Sequence, residues 1–223
     1  MHSHLEAQPK HPSIGAADVI QFGPNLSLRG VRMHFARNEE IFGEDEAAEY
    51  VYQVVSGAVR TVRFTAEGRR QILGFHLPGD IFGLECGDHH TLSAEALVSA
   101  DVVMVRRCSL DKAVVETPGA ALTLMKLMAQ HLEEARAHML LVGRKGAGER
   151  VAAFLLQLAE RIARNRELDL PMGRADIADY LGLTIESVSR AFSEFERQSA
   201  ISLPSSRHVV MCDRSALMHL EAA

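Results

Sequence analysis

The sequence is poor in cysteine and contains no long apolar run. Only three cysteines occur in 223 residues, at Cys86, Cys108 and Cys212, and their wide spacing matches neither a zinc site nor a CxxC motif. No stretch approaches the roughly 20 apolar residues that a transmembrane helix needs, and no signal-peptide pattern is present. We therefore expect a cytoplasmic protein with reduced thiols and no membrane partner, rather than a disulfide-rich secreted scaffold.

Catalytic motifs are also missing. No Ser-His-Asp set, P-loop or dinucleotide fingerprint occurs, so we expect no enzyme activity and no catalytic residue. The segment from Cys86 to His90 contains a cysteine, an aspartate and two adjacent histidines. Because this spacing is not dependable for chelation, we predict no metal site there. Cys108 follows two arginines, which would favour its thiolate, but the end of a strand is the preferred interpretation.

Positive charge is scarce as well, since the formal net charge is −5. Residues 144–223 contain 11 basic and 11 acidic residues, so the whole excess of negative charge lies in residues 1–143. A neutral domain can bind nucleic acid if its cations cluster on one face, but its nonspecific affinity is then modest. A two-fold dimer, which doubles the contacts, would compensate.

The first half of the chain has the pattern of an antiparallel β domain. Residues 1–20 show no sustained pattern and are predicted to be a flexible N-terminal arm. Over residues 21–116 short alternating segments, such as Val51–Val55 and Val59–Phe64, are separated by closely spaced turn signals. This spacing predicts an antiparallel β-barrel or jelly-roll with a sensor-like role.

A long helix is predicted next, over residues 117–143. Its apolar residues recur at spacings of 3, 4, 3, 4 and 3, which is the heptad seam of a paired helix. The alternative is that this helix packs only on its own barrel, but the strict register favours the dimerisation helix of a homodimer. The segment Gly143–Gly148 then interrupts the pattern and is interpreted as a hinge between domains. The seam consists of Met125, Met128, Leu132, Ala135, Met139 and Val142.

The stretch from Arg174 to Gln198 has the pattern of two helices joined by a short turn. An apolar run that ends at Leu181 is stopped by Gly182, and Thr184 stands at the N-cap position of the following helix. This arrangement is typical of a helix-turn-helix, whose second helix enters the major groove of DNA. A β-hairpin wing is predicted over residues 201–211. Residues 144–223 are therefore predicted to form a winged helix-turn-helix, which makes the whole fold α+β.

Three polar residues on the second helix share one face and are predicted to read bases of double-stranded DNA. Glu186, Ser189 and Arg190 lie at positions i, i+3 and i+4. A glutamate accepts from the amino group of cytosine, and an arginine donates to O6 and N7 of guanine. The alternative, an ordinary surface ion pair, is outweighed by the glycine turn, the threonine cap and the wing. Contacts to DNA phosphates position the protein on the duplex and do not read its sequence. Such contacts are predicted for Arg174, Thr184, Ser187 and Arg207.

With these residues placed, the chain resembles the CRP/FNR superfamily of bacterial transcription regulators over nearly its full length. The last of the matching segments contains the motif E-x-x-S-R and looks like the FNR branch, which reads TTGA-type half-sites in an inverted repeat. The resemblance thus assigns base reading to Glu186, Ser189 and Arg190, and it implies a homodimer that works with RNA polymerase. The matching segments are Pro78–Gly83, Gly87–His90, Ser93–Leu97, Gly148–Leu155 and Asp179–Arg190.

Departures from the superfamily narrow the expected role. Leu92-Ser93 stands where cyclic-AMP-binding members have Arg-Ser, so the arginine that would bind the cyclic phosphate is missing, and Glu85 is displaced by one position. No cysteine precedes Cys86, so the four thiolates of a [4Fe–4S] cluster are not available. We therefore expect no cofactor. The chain resembles the FixK type, which implies activation of genes for microoxic respiration, nitrogen fixation or denitrification.

Two alternatives stay open from the sequence alone. The first is a regulator of the same superfamily that is gated by a small ligand or by haem in its barrel. The second is an enzyme or ligand-binding protein in which the winged helix is incidental.

Overall fold

The N-terminal domain is an antiparallel β structure built from two sheets. The computed structural model describes residues 18–65, 67–144 and 146–222, and within them this domain contains nine strands. The sheet orders are β1-β2-β9-β4-β7 and β3-β8-β5-β6, which confirms the predicted fold class. The strands are β1 (Asp18–Gly23), β2 (Leu26–Phe35), β3 (Glu40–Phe42), β4 (Tyr50–Ser56), β5 (Val59–Phe64), β6 (Arg70–His76), β7 (Ile81–Phe82), β8 (Ser93–Ala96) and β9 (Ala100–Arg106).

At β4 the five-stranded sheet is buried on both faces, and successive residues of this strand point to opposite sides. Tyr52 and Val54 of β4 belong to the apolar cluster inside the barrel. Val51 belongs to a second cluster on the outer face, where Leu110 and Ala120 from the two following helices cover the sheet. The near-continuous apolar run of β4 is therefore explained by two different partners.

The strand interpretation is wrong at the end of the barrel segment. Residues Arg107–Glu116 form helix α1, so Cys108 lies in the first turn of a helix and not at the end of a strand. The sequence did not indicate this helix because Leu110 is the one buried residue of α1. A helix with so narrow an apolar face shows almost no helical period in its sequence.

The start of the chain and the long helix also differ in extent from the prediction. β1 begins at Asp18 and buries Ile20 completely, so it overlaps the end of the arm predicted over residues 1–20, and residues 1–17 lie outside the described part. Helix α2 spans Ala120–Arg144 and thus begins later than predicted. Gly119 adopts a positive φ of 81° just before it, and the helix starts only after that turn.

The C-terminal domain combines helices with a small three-stranded sheet. β11 and β12 pair antiparallel, with Ile201 opposite Met211, which confirms the predicted wing hairpin, and β10 pairs with the other edge of β12. Within the described part of the chain, no helix is both long and apolar enough to cross a bilayer. The elements are α3 (Ala147–Ile162), β10 (Glu167–Asp169), α4 (Arg174–Leu181), α5 (Ile185–Arg197), β11 (Ile201–Ser202), β12 (His208–Met211) and α6 (Arg214–Ala222).

One apolar cluster extends across the boundary between the two domains. Phe154 of α3 and Phe192 of α5 belong to it, and so do Leu77 and Leu97 of the barrel. The predicted hinge, Gly143–Gly148, lies at this boundary, since α2 ends and α3 begins within it. The two domains are therefore packed on each other and not merely tethered.

Two glycines in hairpin turns of the barrel provide a matched test of packing within the N-terminal domain. Gly57 and Gly68 both have positive φ, 78° and 74°, so alanine at either position costs about 1–2 kcal/mol of backbone strain. A Cβ at Gly57 would also collide with the carbonyl oxygen of Ser99 and lie 2.7 Å from Cα of Ala100, whereas a Cβ at Gly68 meets no atom of the described residues within 4 Å. Gly57→Ala should therefore lower the melting temperature clearly more than Gly68→Ala does. Equal losses in thermal denaturation would contradict the packing at Gly57.

Candidate nucleic-acid interface

The turn between α4 and α5 is fixed by a left-handed glycine. Gly182 has φ 62° and ψ 41°, and its amide donates to the carbonyl of Ala178 at the end of α4. The amide of Leu183 donates to the same carbonyl at 2.9 Å, and the guanidinium of Arg150 donates to the carbonyl of Leu181 at 3.0 Å. Two of the terminal carbonyls of α4, those of Ala178 and Leu181, are thus satisfied, and the chain reverses within three residues to start α5.

Thr184 is the N-cap of α5, as predicted. Its hydroxyl oxygen accepts from the amide of Ser187 at 3.2 Å, and the hydroxyl oxygens of the two residues lie 3.1 Å apart. The cap sets the first turn of α5, which then buries one apolar face in the domain core. That face consists of Val188, Ala191, Phe192 and Phe195.

The opposite face of α5 carries the three predicted base readers, and all three are exposed. Glu186, Ser189 and Arg190 lie together near the start of the helix. The pKa of Glu186 is below its ordinary value because its own backbone amide and the Thr184 hydroxyl hydrogen-bond the carboxylate, while the charge of Arg190 contributes least. The surface ion pair is therefore a minor influence on this carboxylate. An ionised acceptor and a guanidinium are both presented to solvent.

Ile185, the first residue of α5, belongs to the same end of the helix and was not identified from the sequence. Its side chain is 49% exposed, although the apolar face of α5 begins only at Val188. An apolar side chain at the tip of a recognition helix can contact the methyl group of thymine. The available signal was a β-branched residue placed directly after the cap and outside the apolar period.

Arg174, one of the predicted phosphate contacts, lies between the two helices. Its guanidinium carbon is 3.3 Å from the centre of the Phe192 ring, and burial lowers its pKa to about 10. Its Nη1 is buried and has no hydrogen-bond partner in the part of the chain that the structure describes. The cation therefore packs beneath α5, which gives it a structural role beside the predicted one.

The other predicted phosphate contacts lie at two separate places. Thr184 and Ser187 lie in the first turn of α5, where the helix dipole favours anions. Arg207 lies in the wing, half-buried, and donates to the carbonyl of Pro171 at 3.3 Å. The hydroxyl oxygen of Ser205 accepts from the amides of Arg207 at 3.4 Å and His208 at 3.1 Å, so the wing loop is held in a tight turn beside Arg207.

The barrel contains a small cavity of about 150 Å³ against α2. Leu92 lines it, while the oxygen of the adjacent Ser93 accepts from the amide of Glu44 at 2.9 Å. Nε2 of His76 lies 3.3 Å from the hydroxyl of Thr61, and desolvation lowers the pKa of His76 to about 4. This imidazole is therefore neutral at physiological pH, and the carboxylate of Glu85 also lines the cavity.

The heptad seam of α2 points away from the barrel. Met125, Leu132 and Met139 are 68%, 50% and 63% exposed, and Met128 and Ala135 are exposed too. Val142 differs from the others, since it is half-buried beside Gly182 of the helix turn. The first five residues of the predicted interface thus form an outward apolar stripe, and the sixth contacts the DNA-binding domain of its own chain.

Two domain families match the chain. The Crp-like helix-turn-helix domain matches residues 149–220, which contain α3, α4, α5 and the wing. The cyclic nucleotide-binding domain matches residues 32–116, which contain most of the barrel and α1. Helix α2 and strand β1 lie outside both matches.

Individual proteins match over both domains together. The nitrogen fixation regulation protein FixK of Azorhizobium caulinodans is 50% identical over 202 residues, which is 88% of this chain and 82% of that protein. The FixK of Rhizobium meliloti is 39% identical over 219 residues, which is 97% of this chain and 99% of that protein. The solved structure of FixK2 from Bradyrhizobium japonicum has a TM-score of 0.85 at 49% identity and covers 88% of this chain and 99% of that chain.

Removal of the cap oxygen should affect both the helix and the carboxylate beside it. Thr184→Ala should lower the free energy of unfolding by about 1 kcal/mol, and the pKa of Glu186 should rise because one hydrogen bond to its ionised form is lost. Thr184→Ser keeps the oxygen and serves as the control, with both quantities near those of the parent. Urea denaturation and NMR titration of the Glu186 side chain measure the two effects. An unchanged pKa in the alanine variant would contradict the hydrogen bond.

Proposed function

Because this chain belongs to the CRP/FNR family of DNA-binding transcription regulators and is FixK-like within it, we propose that its homodimer binds inverted repeats of TTGA-type half-sites. The observation that carries the proposal is the exposed face of α5, where Glu186, Ser189 and Arg190 lie together on a capped helix. This is the end of a recognition helix that contacts base edges in the major groove.

The chemistry of this face suits the single G·C pair of a TTGA half-site. Arg190 donates to O6 and N7 of the guanine, and Glu186 accepts from the amino group of the cytosine on the other strand. Ser189 lies beside them for a neighbouring base. The methyl groups of the adjoining thymines are apolar, and the exposed side chain of Ile185 is the group on α5 that matches them.

Contacts to phosphate then hold the helix in register without reading sequence. Thr184 and Ser187 would meet the backbone beside the start of α5, and Arg207 would meet it from the wing. Arg174 supports the same surface from below through its contact with Phe192. Because the domain as a whole is neutral, specific contacts carry more of the binding than long-range attraction does.

The outward stripe on α2 is assigned to a second copy of the chain. A two-fold pairing of α2 along Met125, Leu132 and Met139 would bury these side chains from water, which is the main driving force of association. A two-fold dimer presents two copies of α5 in opposite orientation, which is the symmetry of an inverted repeat.

We assign to the bound dimer the role of an activator of genes for microoxic respiration, nitrogen fixation or denitrification. Support for this role comes from the FixK relatives, which are nitrogen fixation regulation proteins by name. Activation requires contact with RNA polymerase, and the action takes place in the cytoplasm where the promoter DNA lies.

The residues of the barrel do not fit a cyclic nucleotide. Leu92 lines the cavity where an arginine would be needed for the phosphate, and Ser93 is already engaged by the amide of Glu44. The cavity volume of about 150 Å³ also lies below the roughly 300–1,000 Å³ of ordinary ligand sites. Three cysteines cannot supply the four thiolates of an iron–sulfur cluster. We therefore assign control of DNA binding to the amount of protein.

A gated regulator is the second candidate function, and one buried group favours it. His90 is almost fully buried and stacks on Phe42 with ring centres 3.6 Å apart. Among the described residues neither ring nitrogen has a hydrogen-bond partner, and Oε1 of Glu85 lies 3.6 Å from Nδ1. A buried polar group without a partner is unusual, and a small polar ligand could supply one. Selective DNA binding by ligand-free protein in air would argue against this candidate.

Substitution of Arg190 tests base reading directly. Arg190→Ala should cost about 1–3 kcal/mol per half-site and relax the preference for the G·C pair, because the bidentate contact to guanine is lost. Arg197→Ala removes an equal charge from the far end of the same helix, where Arg197 pairs with Glu194, and should keep the base preference. Gel-shift titrations at fixed salt with TTGAT-N4-ATCAA and with a duplex in which the G·C pair of each half-site is replaced by A·T measure both. Equal loss on the two duplexes in the Arg190 variant would contradict base reading.

Substitution in the stripe tests the dimer. Leu132→Glu removes the burial of one leucine per protomer, each contributing about 1.5–3 kcal/mol, so the dimer dissociation constant should rise by at least about a hundredfold. Ala137→Glu adds the same charge to α2 outside the seam, at an exposed position, and should remain dimeric. Light scattering over a concentration series distinguishes them. A dimeric Leu132 variant would show that α2 does not pair along this stripe.

A further inference from the structure

Four charged residues join the barrel to the first helix of the helix-turn-helix. Nη1 of Arg60 donates to Oδ1 of Asp176 at 2.9 Å, and Nη2 of Arg70 donates to the same oxygen at 2.9 Å. Arg70 also donates to Oδ2 of Asp179 through Nε at 2.9 Å and through Nη2 at 2.7 Å. The arginines lie on β5 and β6, and both aspartates lie on α4. We call these four residues the interdomain clasp.

The clasp is more enclosed than an ordinary surface ion pair. The side chains of Arg60 and Asp176 are only 9% and 13% exposed, so water and salt screen them weakly. Arg60 is held from the barrel side by Glu95, opposite it on β8, with contacts of 2.9 and 2.6 Å. Removal of one partner would leave a half-buried charge uncompensated. The network therefore favours one docked arrangement of the two domains.

Asp176 belongs to the clasp and to the start of α4 at once. Its Oδ2 accepts from the amide of Gly173 at 3.1 Å, which satisfies a free donor of the first helical turn. Its Oδ1 accepts from the two arginines of the barrel. The barrel thus holds the carboxylate that begins α4, and α4 in turn packs against the recognition helix α5 through the shared core.

An aromatic contact fixes the same helix at its other end. The ring of Tyr180 stacks on His138 of α2 at 4.2 Å and lies 5.0 Å from Phe75 of β6 and 5.9 Å from Phe154 of α3. Tyr180 is therefore enclosed by the barrel, by α2 and by the DNA-binding domain. With the clasp at Asp176 and Asp179, α4 is held at both ends against the N-terminal domain.

We propose that the interdomain clasp determines which spacing between half-sites the dimer accepts. In a two-fold dimer paired along α2, the separation and angle of the two α5 helices depend on how each DNA-binding domain sits on its own barrel. One base pair added between half-sites rotates one site by about 35° relative to the other. A clasped domain cannot follow this rotation, whereas a domain released from the barrel can turn about the segment that joins α2 to α3. This inference rests on the proposed binding to inverted repeats.

The first test compares duplexes that differ only in spacer length. Two TTGAT-type half-sites are separated by four base pairs, or by one base pair fewer or more, and affinities are measured at fixed salt. The parent protein should prefer one spacer by about tenfold or more, and Asp179→Arg, which opposes Arg70, should reduce this preference to less than about threefold. Adding Arg70→Asp to that variant restores an opposite-charge pair and should restore the preference. Base preference within a half-site should stay unchanged throughout.

Arg69→Gln is the control for Arg70→Gln, because it removes the same charge from the neighbouring position. Arg69 precedes Arg70 on the same hairpin, is 78% exposed and pairs only with Glu67 among the ion pairs described. Arg69→Gln and Arg70→Gln remove the same charge, but only the second should weaken the spacing preference. Circular dichroism and light scattering check that every variant is folded and dimeric. Equal spacer profiles in the Arg69, Arg70 and parent proteins would overturn the proposal.

A second measurement tests, without DNA, whether the clasp fixes the position of one domain relative to the other. Cys86 in the barrel and Cys212 beside the wing are both exposed, and spin labels on them, with Cys108→Ser, report the distance between the domains. The distance distribution should be narrow in the parent and broad in Asp179→Arg, and narrow again in the swapped pair. An unchanged distribution would overturn the clasp. Failure of the parent to bind any TTGA repeat would instead contradict the proposed function, while the label distances still decide whether the clasp fixes the domains.

Discussion

Burial of apolar surface between the two domains is the constraint from which the placement of the recognition helix follows. Leu77 and Leu97 of the barrel share one cluster with Phe154 of α3 and the buried face of α5. Without this contact, the DNA-binding domain would be connected to the N-terminal domain only by the short segment between α2 and α3. With this contact, the barrel, α4 and α5 share one apolar core, and the polar face of α5 has a defined direction relative to α2.

Because the DNA-binding domain carries no net charge, the direction in which the polar face of α5 points is important for DNA binding. Residues 144–223 are electrically neutral, and Arg174 is stacked beneath Phe192, so it is not a free surface cation. Arg60 and Arg70 are likewise committed to carboxylates. Because acidic residues match the basic ones in number over residues 144–223, long-range attraction to DNA is weak, and affinity has to come from a small number of well-placed contacts. Fixed geometry then replaces general electrostatic attraction as the source of binding energy.

Local features of the site could be predicted from the sequence, and long-range ones could not. Gly182 and Thr184 mark the turn because left-handed backbone and N-capping each favour few residue types, and the face of α5 follows from the helical period. Helix α1 was missed because its apolar face is too narrow to produce a period. The contact between Arg70 and Asp179 joins residues 109 positions apart, and each residue alone resembles an ordinary surface charge. Such a pair is defined by the fold and not by spacing.

The double engagement of Asp176 has a consequence for recombining such regulators. Its carboxylate belongs to α4 by sequence, but two of the groups that it accepts from belong to the barrel. Effects of substitutions at residues that share one partner are not additive, so the boundary at Gly143–Gly148 is not an energetic boundary. A chimera joined there would inherit an intact helix-turn-helix and lose the surroundings that orient it. A functional graft would have to carry Arg60, Arg70 and Phe75 along with the DNA-binding domain.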